Sequence, residues 1–364
     1  MSDRPNPSTS VSPVVIDGMG GDRAPAVIVE GALLAMEAGH GPLTLVGDEA
    51  RIKAHLKDHR FDNQLLEVVH ATEAIGMAES PMRAARTKRD SSMHRAYAEV
   101  IAGRGCAVVS AGNSGAFMAT GLLTSRRIPG CERPAIAACI PTGARPTILT
   151  DVGAHVECRA AHLAQFAIMG ATYAALKFDQ PRPTVALLAN GTETTKGTDR
   201  LREAHRMLTQ TDLNYLGFIE SRTLPEGRVD VVVTDGFTGN VVLKLCEGLV
   251  QTMMGRIRDV VQAHWASAIV GPILKGPLGG LAHQLDWETI GAAPLLGMNH
   301  IALVAHGNAS AQAIANAVVR AREYAELDLQ RAIGEALKLQ SPGEAMTTTE
   351  LPLSRTTDEF SELD

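Results

Sequence analysis

Residues able to hold an oxyanion recur at the ends of six short apolar runs. Asp17-Gly18-Met19-Gly20-Gly21-Asp22 follows Val14–Ile16, Ser110-Ala111-Gly112-Asn113-Ser114-Gly115 follows Cys106–Val109, and Asp151-Val152-Gly153-Ala154 follows Thr147–Thr150. Asn190-Gly191-Thr192-Glu193 follows Val185–Leu188, Asp235-Gly236-Phe237-Thr238-Gly239-Asn240 follows Val231–Val233, and His306-Gly307-Asn308 follows Ile301–Val304. Glycine lets backbone N–H groups approach an anion closely, and a helix amino end behind such a loop favours negative charge. The chemistry these loops suit is the holding of a small anion, phosphate above all. Each loop taken alone is also an ordinary strand-to-helix turn.

Several groups could assist. If a helix begins near Thr238, Asn240 and Lys244 lie one turn apart on one face. Lys196-Gly197 adds a cation to the Asn190–Glu193 loop, and His306 is either a base or donor or the cap of a strand. Arg83, Arg86, Lys88 and Arg89 form a basic cluster in a polar connection, either a solvated surface or a dock for an anionic partner. Familiar nucleotide and nucleophile signatures are absent. Gly191–Gly197 has the wrong order for a Walker A loop, Gly18-Met19-Gly20-Gly21 does not complete GxGxxG, and Gly112-Asn113-Ser114-Gly115-Ala116 is not a serine elbow. No HExxH or paired Cys/His spacing points to a metal. No cofactor is expected.

The elements that must position these residues alternate along 364 residues, of which 45% are hydrophobic and 20% charged. Strands are expected at 14–16, 43–46, 65–69, 106–110, 135–140, 147–150, 184–189, 214–219, 229–234 and 301–305. Helices are expected at 26–38, 49–57, 92–102, 114–125, 159–177, 199–210, 240–263 and 310–339, with a polar connection over 71–90. Strands interleaved with helices imply an α/β fold: a mostly parallel sheet with helices on both faces, made mixed by a local hairpin of 135–140 and 147–150. In such a sheet the six loops would gather at the carboxyl ends of the strands. Residues 14–339 read as one catalytic unit, preceded by a Pro/Ser-rich lead over 1–13 and followed by a disordered acidic tail over 340–364. Net charge is −6, of which residues 341–364 carry most. With no basic excess and 4% aromatic residues, nucleic acid is not an expected partner. Five cysteines without CxxC spacing suit reduced thiols in a cytoplasmic protein.

One segment stands apart. Within about 255–290, the apolar series Trp265, Ile269, Ile273, Leu274, Leu278 and Leu281 is interrupted by Pro272 and Pro277, which prevent one continuous helix. A protruding apolar helical hairpin is expected there, its face meeting a dimer partner, a membrane surface or both.

Read in order, the strings Asp-Gly-Met-Gly-Gly-Asp (17–22), Ser-Ser-Met (91–93), Ser-Ala-Gly-Asn-Ser-Gly-Ala (110–116), Arg-Pro-Ala (133–135) and Asp-Val-Gly-Ala (151–154) continue into Asn-Gly-Thr-Glu-Thr-Thr-Lys-Gly (190–197), Thr-Asp-Gly-Phe-Thr-Gly-Asn-Val (234–241), Ala-Pro-Leu-Leu-Gly (293–297) and Ala-His-Gly (305–307). This series resembles the bacterial phosphate acyltransferases of phospholipid synthesis, over roughly residues 14–335. Gly18, His155, Ala189-Asn190 and Gly291-Ala292 depart from that family's usual residues, so the amide of Asn190 sits one position away from the usual one.

The resemblance implies transfer of a long-chain acyl group from acyl carrier protein to inorganic phosphate. It also implies a fold similar to phosphate acetyltransferases and decarboxylating dehydrogenases, a homodimer, and peripheral attachment to the inner face of the cell membrane. A hand-off of acyl phosphate to a glycerol-3-phosphate acyltransferase goes with it. Phosphate is itself the nucleophile, so the protein must position it and offset the meeting of two oxyanions. On this scheme Gly20, Gly21, Asp22, Ser110, Gly112, Asn113 and Ser114 cradle phosphate, and Lys196 or Lys244 supplies counter-charge. Asn240 serves the tetrahedral oxyanion, and Asp235 or His306 manages the phosphate proton. Arg83, Arg86, Lys88 and Arg89 would dock the acidic carrier protein, with the 240–290 region lining the acyl chain. The competing readings are a short-chain phosphate acetyl- or butyryltransferase using coenzyme A, a nicotinamide-dependent decarboxylating dehydrogenase, and an inactive membrane-recruited scaffold.

Overall fold

The computed structural model describes residues 12–142, 145–263 and 291–340, with 276, 279, 280 and 285 between them. The strands are β1 (Val14–Asp17), β2 (Leu43–Gly47), β3 (Leu66–His70), β4 (Ala107–Ser110), β5 (Ala135–Ile140), β6 (Thr147–Thr150), β7 (Thr184–Ala189), β8 (Asn214–Glu220), β9 (Val231–Val233), β10 (Ala293–Leu296) and β11 (Ile301–Val304). The helices are α1 (Ala26–Glu37), α2 (Glu49–Leu56), α3 (Pro81–Thr87), α4 (Ser92–Ile101), α5 (Ser114–Thr124), α6 (Ala160–Phe178), α7 (Asp199–Leu208), α8 (Gly236–Ala263), α9 (Ala311–Glu326) and α10 (Leu329–Gln340).

All eleven strands join one sheet in the order β3-β2-β1-β4-β11-β10-β5-β6-β9-β7-β8. β1, β2, β4, β5, β6 and β9 are buried at every position, which is why they read as mostly apolar runs and not as strictly alternating ones. Alternate residues still serve opposite faces: Val14 and Ile16 belong to the core that also holds residues of α1, α6 and α9, and Val15 to the one that holds residues of α4 and α5. Side-chain caps start α2, α4, α5, α7 and α9, where Asp48, Ser91, Asn113, Thr198 and Ser310 each accept an N–H from three residues on.

The α/β class, the predominance of parallel pairs and the β5–β6 hairpin agree with the expectation from sequence. The strand direction does not stay constant, however. β10, absent from the expected strands, lies antiparallel to both β11 and β5, and β5 lies antiparallel to β6. The strands β1, β2, β3, β4, β11 and β5 therefore run one way and β10, β6, β9, β7 and β8 the other. The six glycine loops consequently do not gather at one end. The loops after β1, β4 and β11 sit at one edge, here called upper, and those after β6, β7 and β9 at the opposite, lower edge.

Other departures are local. The polar connection over 71–90 contains α3, the expected helix 310–339 breaks between α9 and α10 with Asp328 at φ +50°, and a 3-10 turn spans Ser221–Glu226. The apolar hairpin residues Trp265, Ile269, Ile273, Leu274, Leu278 and Leu281 lie outside the described residues, as do 1–11 and 341–364. Among the described residues no helix is long and apolar enough to cross a membrane.

Candidate active site

At the upper edge, β1 delivers Asp17 into the interior, where it is 1% exposed. Its Oδ2 accepts the Ser110 hydroxyl at 2.6 Å and its Oδ1 accepts the Met19 N–H at 3.2 Å. The Ser110 Oγ in turn accepts the Gly112 N–H at 3.1 Å. Burial pushes the Asp17 carboxyl above its usual range, against the pull of hydrogen bonds from Ser110, Ser92 and Met19. Gly20 closes on this brace so tightly that a Cβ there would lie 2.6 Å from Asp17 Oδ2 and 2.7 Å from Gly112 N. Gly21 turns at φ +103°, and the Asp22 N–H then donates to Gly307 O at 2.8 Å. Arg23 donates to Asn308 O and Ala309 O at 3.0 and 2.7 Å, so the three upper loops are tied into one body.

Asn113 caps α5 by accepting the Ala116 N–H at 3.0 Å, and its amide donates to Met77 O at 2.9 Å. The polar atoms of Ser110 and Asn113 are thus taken up in bracing. Side chains exposed to solvent here include Ser114 at the first position of α5, His306 and Asp22. Closely approached backbone at Gly20, Gly21 and Gly112, beside a helix amino end, is suited to a phosphate-sized anion.

The lower edge is organised by a second strand-end aspartate. Asp151 is 0% exposed. Its Oδ1 accepts N–H groups of Ile136, Gly153 and Ala154 at 3.1, 3.2 and 2.9 Å, and its Oδ2 accepts that of His155 at 2.8 Å. Burial nevertheless outweighs these donors and the carboxyl is pushed up to about 6. Asp235 caps the turn into α8 by accepting the Thr238 N–H at 2.8 Å and pairs with Arg200 at 3.1 Å. Arg200 also donates to Cys158 O at 3.1 Å, while its Nε is buried without a partner. Asn190 accepts the Gly197 N–H at 2.9 Å, and Lys196 stands exposed in that loop.

α8 connects the two edges. It starts at Gly236, four residues before the expected boundary, so Asn240 and Lys244 occupy its second and third turns. Asn240 lies against Gly153 at the lower edge. Val242, Leu243 and Cys246 pack on the sheet face. Eleven residues on from its start, a rise of about 16 Å, the half-buried Glu247 comes within electrostatic reach of His306 and Lys244. Burial raises the Glu247 carboxyl, and those two groups draw it back.

The structure therefore brings Gly20, Gly21, Asp22, Ser110, Gly112, Asn113 and Ser114 together at the upper edge, with His306 beside them and Lys244 toward them along α8. Lys196, Asp235 and Asn240 belong to the lower edge. Of the basic cluster, Arg83 and Arg86 lie exposed on α3, which is a helix and not the expected loop, and Arg89 is exposed just beyond it. Lys88 is not free: it pairs with Glu79 at 2.7 Å and donates to Ala74 O at 2.8 Å. Pro81 of α3 abuts Gly115 of α5, so the arginine-bearing helix borders the upper loops.

The bracing roles of Asp17 and Asp151, and the positions of Glu247 and Arg200, escaped the sequence. The two aspartates did leave a signal: Asp17 ends the apolar run Val14–Ile16 and Asp151 directly follows β6, each just before a glycine-containing turn. Among the described residues no three His, Cys, Asp or Glu side chains come together as a metal site.

The family described as fatty acid synthesis protein matches residues 13–331. The chain belongs to this family. A relative from Trichlorobacter lovleyi, named phosphate acyltransferase, is 43% identical over 324 residues, covering 89% of this chain and 94% of its own. Solved structures carry the same fold at low identity. A phosphotransacetylase from Streptococcus pyogenes aligns with TM-score 0.57 at 17% identity, over 87% of this chain and 95% of its own. A 4-hydroxythreonine-4-phosphate dehydrogenase from Klebsiella pneumoniae aligns with TM-score 0.52 at 15% identity, over 88% and 99%. As a member of the fatty acid synthesis protein family, the chain carries its loop strings within the matched region, from Asp17 at the end of β1 to Gly307 beyond β11.

Proposed function

We propose that this protein transfers a long-chain fatty acyl group from the thioester of acyl carrier protein to inorganic phosphate, giving acyl phosphate for phosphatidic acid synthesis. The observation that carries the reading is the near full-length match, at 43% identity, to a protein named phosphate acyltransferase. In the proposed reaction a phosphate oxygen attacks the thioester carbonyl carbon, the C–S bond breaks, and the carrier thiolate leaves. Gly20, Gly21 and Gly112, which carry no side chains, leave room for the phosphate to approach, and Ser114 at the amino end of α5 holds it. Lys244 offsets its charge and His306 manages the phosphate proton, these being the two candidate side chains that lie toward the upper loops.

The deciding assay supplies palmitoyl–acyl carrier protein and phosphate and traps acyl phosphate with hydroxylamine. Phosphate-dependent product is expected; activity restricted to acetyl- or butyryl-coenzyme A would replace the reading with a short-chain transferase. In the same assay Lys244→Ala should lower kcat/KM about 30-fold, near 2 kcal/mol. Unchanged turnover removes Lys244 from the scheme.

Arg83, Arg86 and Arg89 on and beside α3 form the proposed dock for the acidic carrier protein, next to the upper loops. Reversing two charges (Arg86→Glu with Arg89→Glu) should raise KM for the acylated carrier about tenfold and leave KM for phosphate unchanged. The opposite pattern would make these residues part of a phosphate site.

On α8, Phe237, Val241, Leu245, Leu249 and Met253 recur every fourth residue and are each more than half exposed. This apolar stripe supports a homodimer contact and, continuing toward the apolar 255–290 segment, peripheral attachment to the membrane with a hand-off to a glycerol-3-phosphate acyltransferase. Sedimentation should give a dimer; a monomer that also ignores anionic vesicles would end this part of the proposal.

A further inference from the structure

The link between α5 and β5 forms one wall of a pocket of about 470 Å³, lined chiefly by Arg127, Glu132, Arg133, Arg159 and His162. Three guanidinium groups share this space with one carboxylate. Glu132 is occupied by an ion pair with Arg159, and His162 Nε2 lies 3.2 Å from the same carboxylate oxygen. The His162 side chain is only 3% exposed, its Nδ1 accepts the Arg159 N–H at 3.0 Å, and the Arg159 guanidinium lies against its Nε2.

Arg127 and Arg133 are different. Each bonds a backbone carbonyl, of Glu132 and Glu157 respectively, and among the described residues neither has a carboxylate within salt-bridge distance. The pocket also adjoins the amino end of α6, a 19-residue helix with no acidic residue in its first turn. Two uncompensated guanidinium groups therefore face the positive end of a long helix dipole.

This pocket is separate from the upper loops. It lies at the amino end of β5, and β5 runs in the same direction as β4 and β11, whose carboxyl ends carry those loops. Guanidinium forks match the oxygens of a phosphate in paired hydrogen bonds, and the volume falls within the ~300–1,000 Å³ range of small-molecule sites, larger than a bare phosphate needs.

We propose that the Arg127–Arg133–Arg159 pocket is a second anion site, which binds the dianionic head of a phosphate monoester. The bound head would accept hydrogen bonds from Arg127 and Arg133, leaving the Arg159–Glu132–His162 group as a fixed wall.

The test is calorimetric titration of the full chain with methyl phosphate, and separately with inorganic phosphate, in 0.1 M salt. Methyl phosphate should bind one per chain. Its Kd should rise at least tenfold in Arg127→Gln/Arg133→Gln, whose amides can still donate to the carbonyls that these arginines reach. The rate of palmitoyl transfer in the absence of methyl phosphate should not change in that variant, and Lys244→Ala should bind methyl phosphate as the native chain does. Binding of inorganic phosphate alone at this pocket, lost in the double variant, would keep the anion site and replace the monoester by the free ion. If the glutamine variant proves unfolded by circular dichroism, Arg127→Lys/Arg133→Lys is read in its place, with a threefold loss expected because the ammonium lacks the fork. The proposal is overturned if neither phosphate compound binds, if binding is indifferent to a folded variant, or if Lys244→Ala abolishes it.

Discussion

Replacing Asp151 by alanine should cost the protein about 4 kcal/mol or more, enough to leave little folded chain at 37 °C. Its two oxygens accept four backbone N–H groups, from Ile136, Gly153, Ala154 and His155. Each buried donor left without a partner costs about 1–3 kcal/mol, partly recovered where water can enter, and a typical domain has only about 5–15 kcal/mol in total. Asp151→Asn keeps one oxygen as an acceptor and turns an NH₂ group against another N–H, so it should retain about half of the loss. Urea unfolding of the three proteins checks the order; an alanine variant as stable as the native chain would show that the loop does not depend on this carboxylate.

The same residue gives a pH signature. Its carboxyl is pushed up from 3.8 to about 6 in the folded chain, so the native state holds the proton more tightly than the unfolded one. The contribution of this group to stability is then fully present below pH 3.8 and is lost as pH rises through 6. Native protein should therefore lose stability relative to Asp151→Asn across that window, a divergence readable from melting temperatures.

Gly20→Ala should lower kcat/KM for acyl transfer about 100-fold or more while leaving the chain folded. A Cβ at this position meets Asp17 Oδ2 at 2.6 Å, Gly112 N at 2.7 Å and Ser110 Oγ at 3.0 Å, all three belonging to the upper brace. Something must move by several tenths of an ångström, and every atom available to move helps position the proposed phosphate cradle. Displacements near 1 Å in a positioning group can cost about 100-fold in rate. The loss should appear mainly in kcat and in KM for phosphate, with KM for the acylated carrier little changed. Activity within threefold of native would mean that phosphate is held elsewhere.

Much of this architecture was legible because it is local. Buried parallel strands are short runs dominated by Val, Ile, Leu and Ala, and caps such as Asp48, Asn113 and Thr198 mark where helices start. What could not be read depends on partners distant in the chain. β10 is four residues long, contains Pro294 and is flanked by Gly291 and Gly297, so it carried no strand signal of its own. Yet β10 and the hairpin together reverse the sheet and divide the six loops between two edges. α3 was hidden because only Ala84 and Ala85 of its seven residues are buried, leaving no apolar stripe among the arginines. The break after α9 falls at Asp328, an aspartate in the left-handed region, where neither glycine nor proline announces it. Glu247 looked like any helical glutamate until α8 was seen to carry it across the sheet to His306.

That crossing makes α8 a ruler with a phase. Removing one residue between Gly236 and Lys244 shortens the rod by only about 1.5 Å but rotates everything beyond it by about 100°. Lys244 and Glu247 would then leave the His306 side, and the stripe of Phe237, Val241, Leu245, Leu249 and Met253 would be severed at the deletion. Length variation among descendants of this chain should accordingly be excluded from the first three turns of α8 and tolerated in surface links such as the one from α2 to β3. Insertions of seven residues, two nearly whole turns, should be the least harmful ones within the rod.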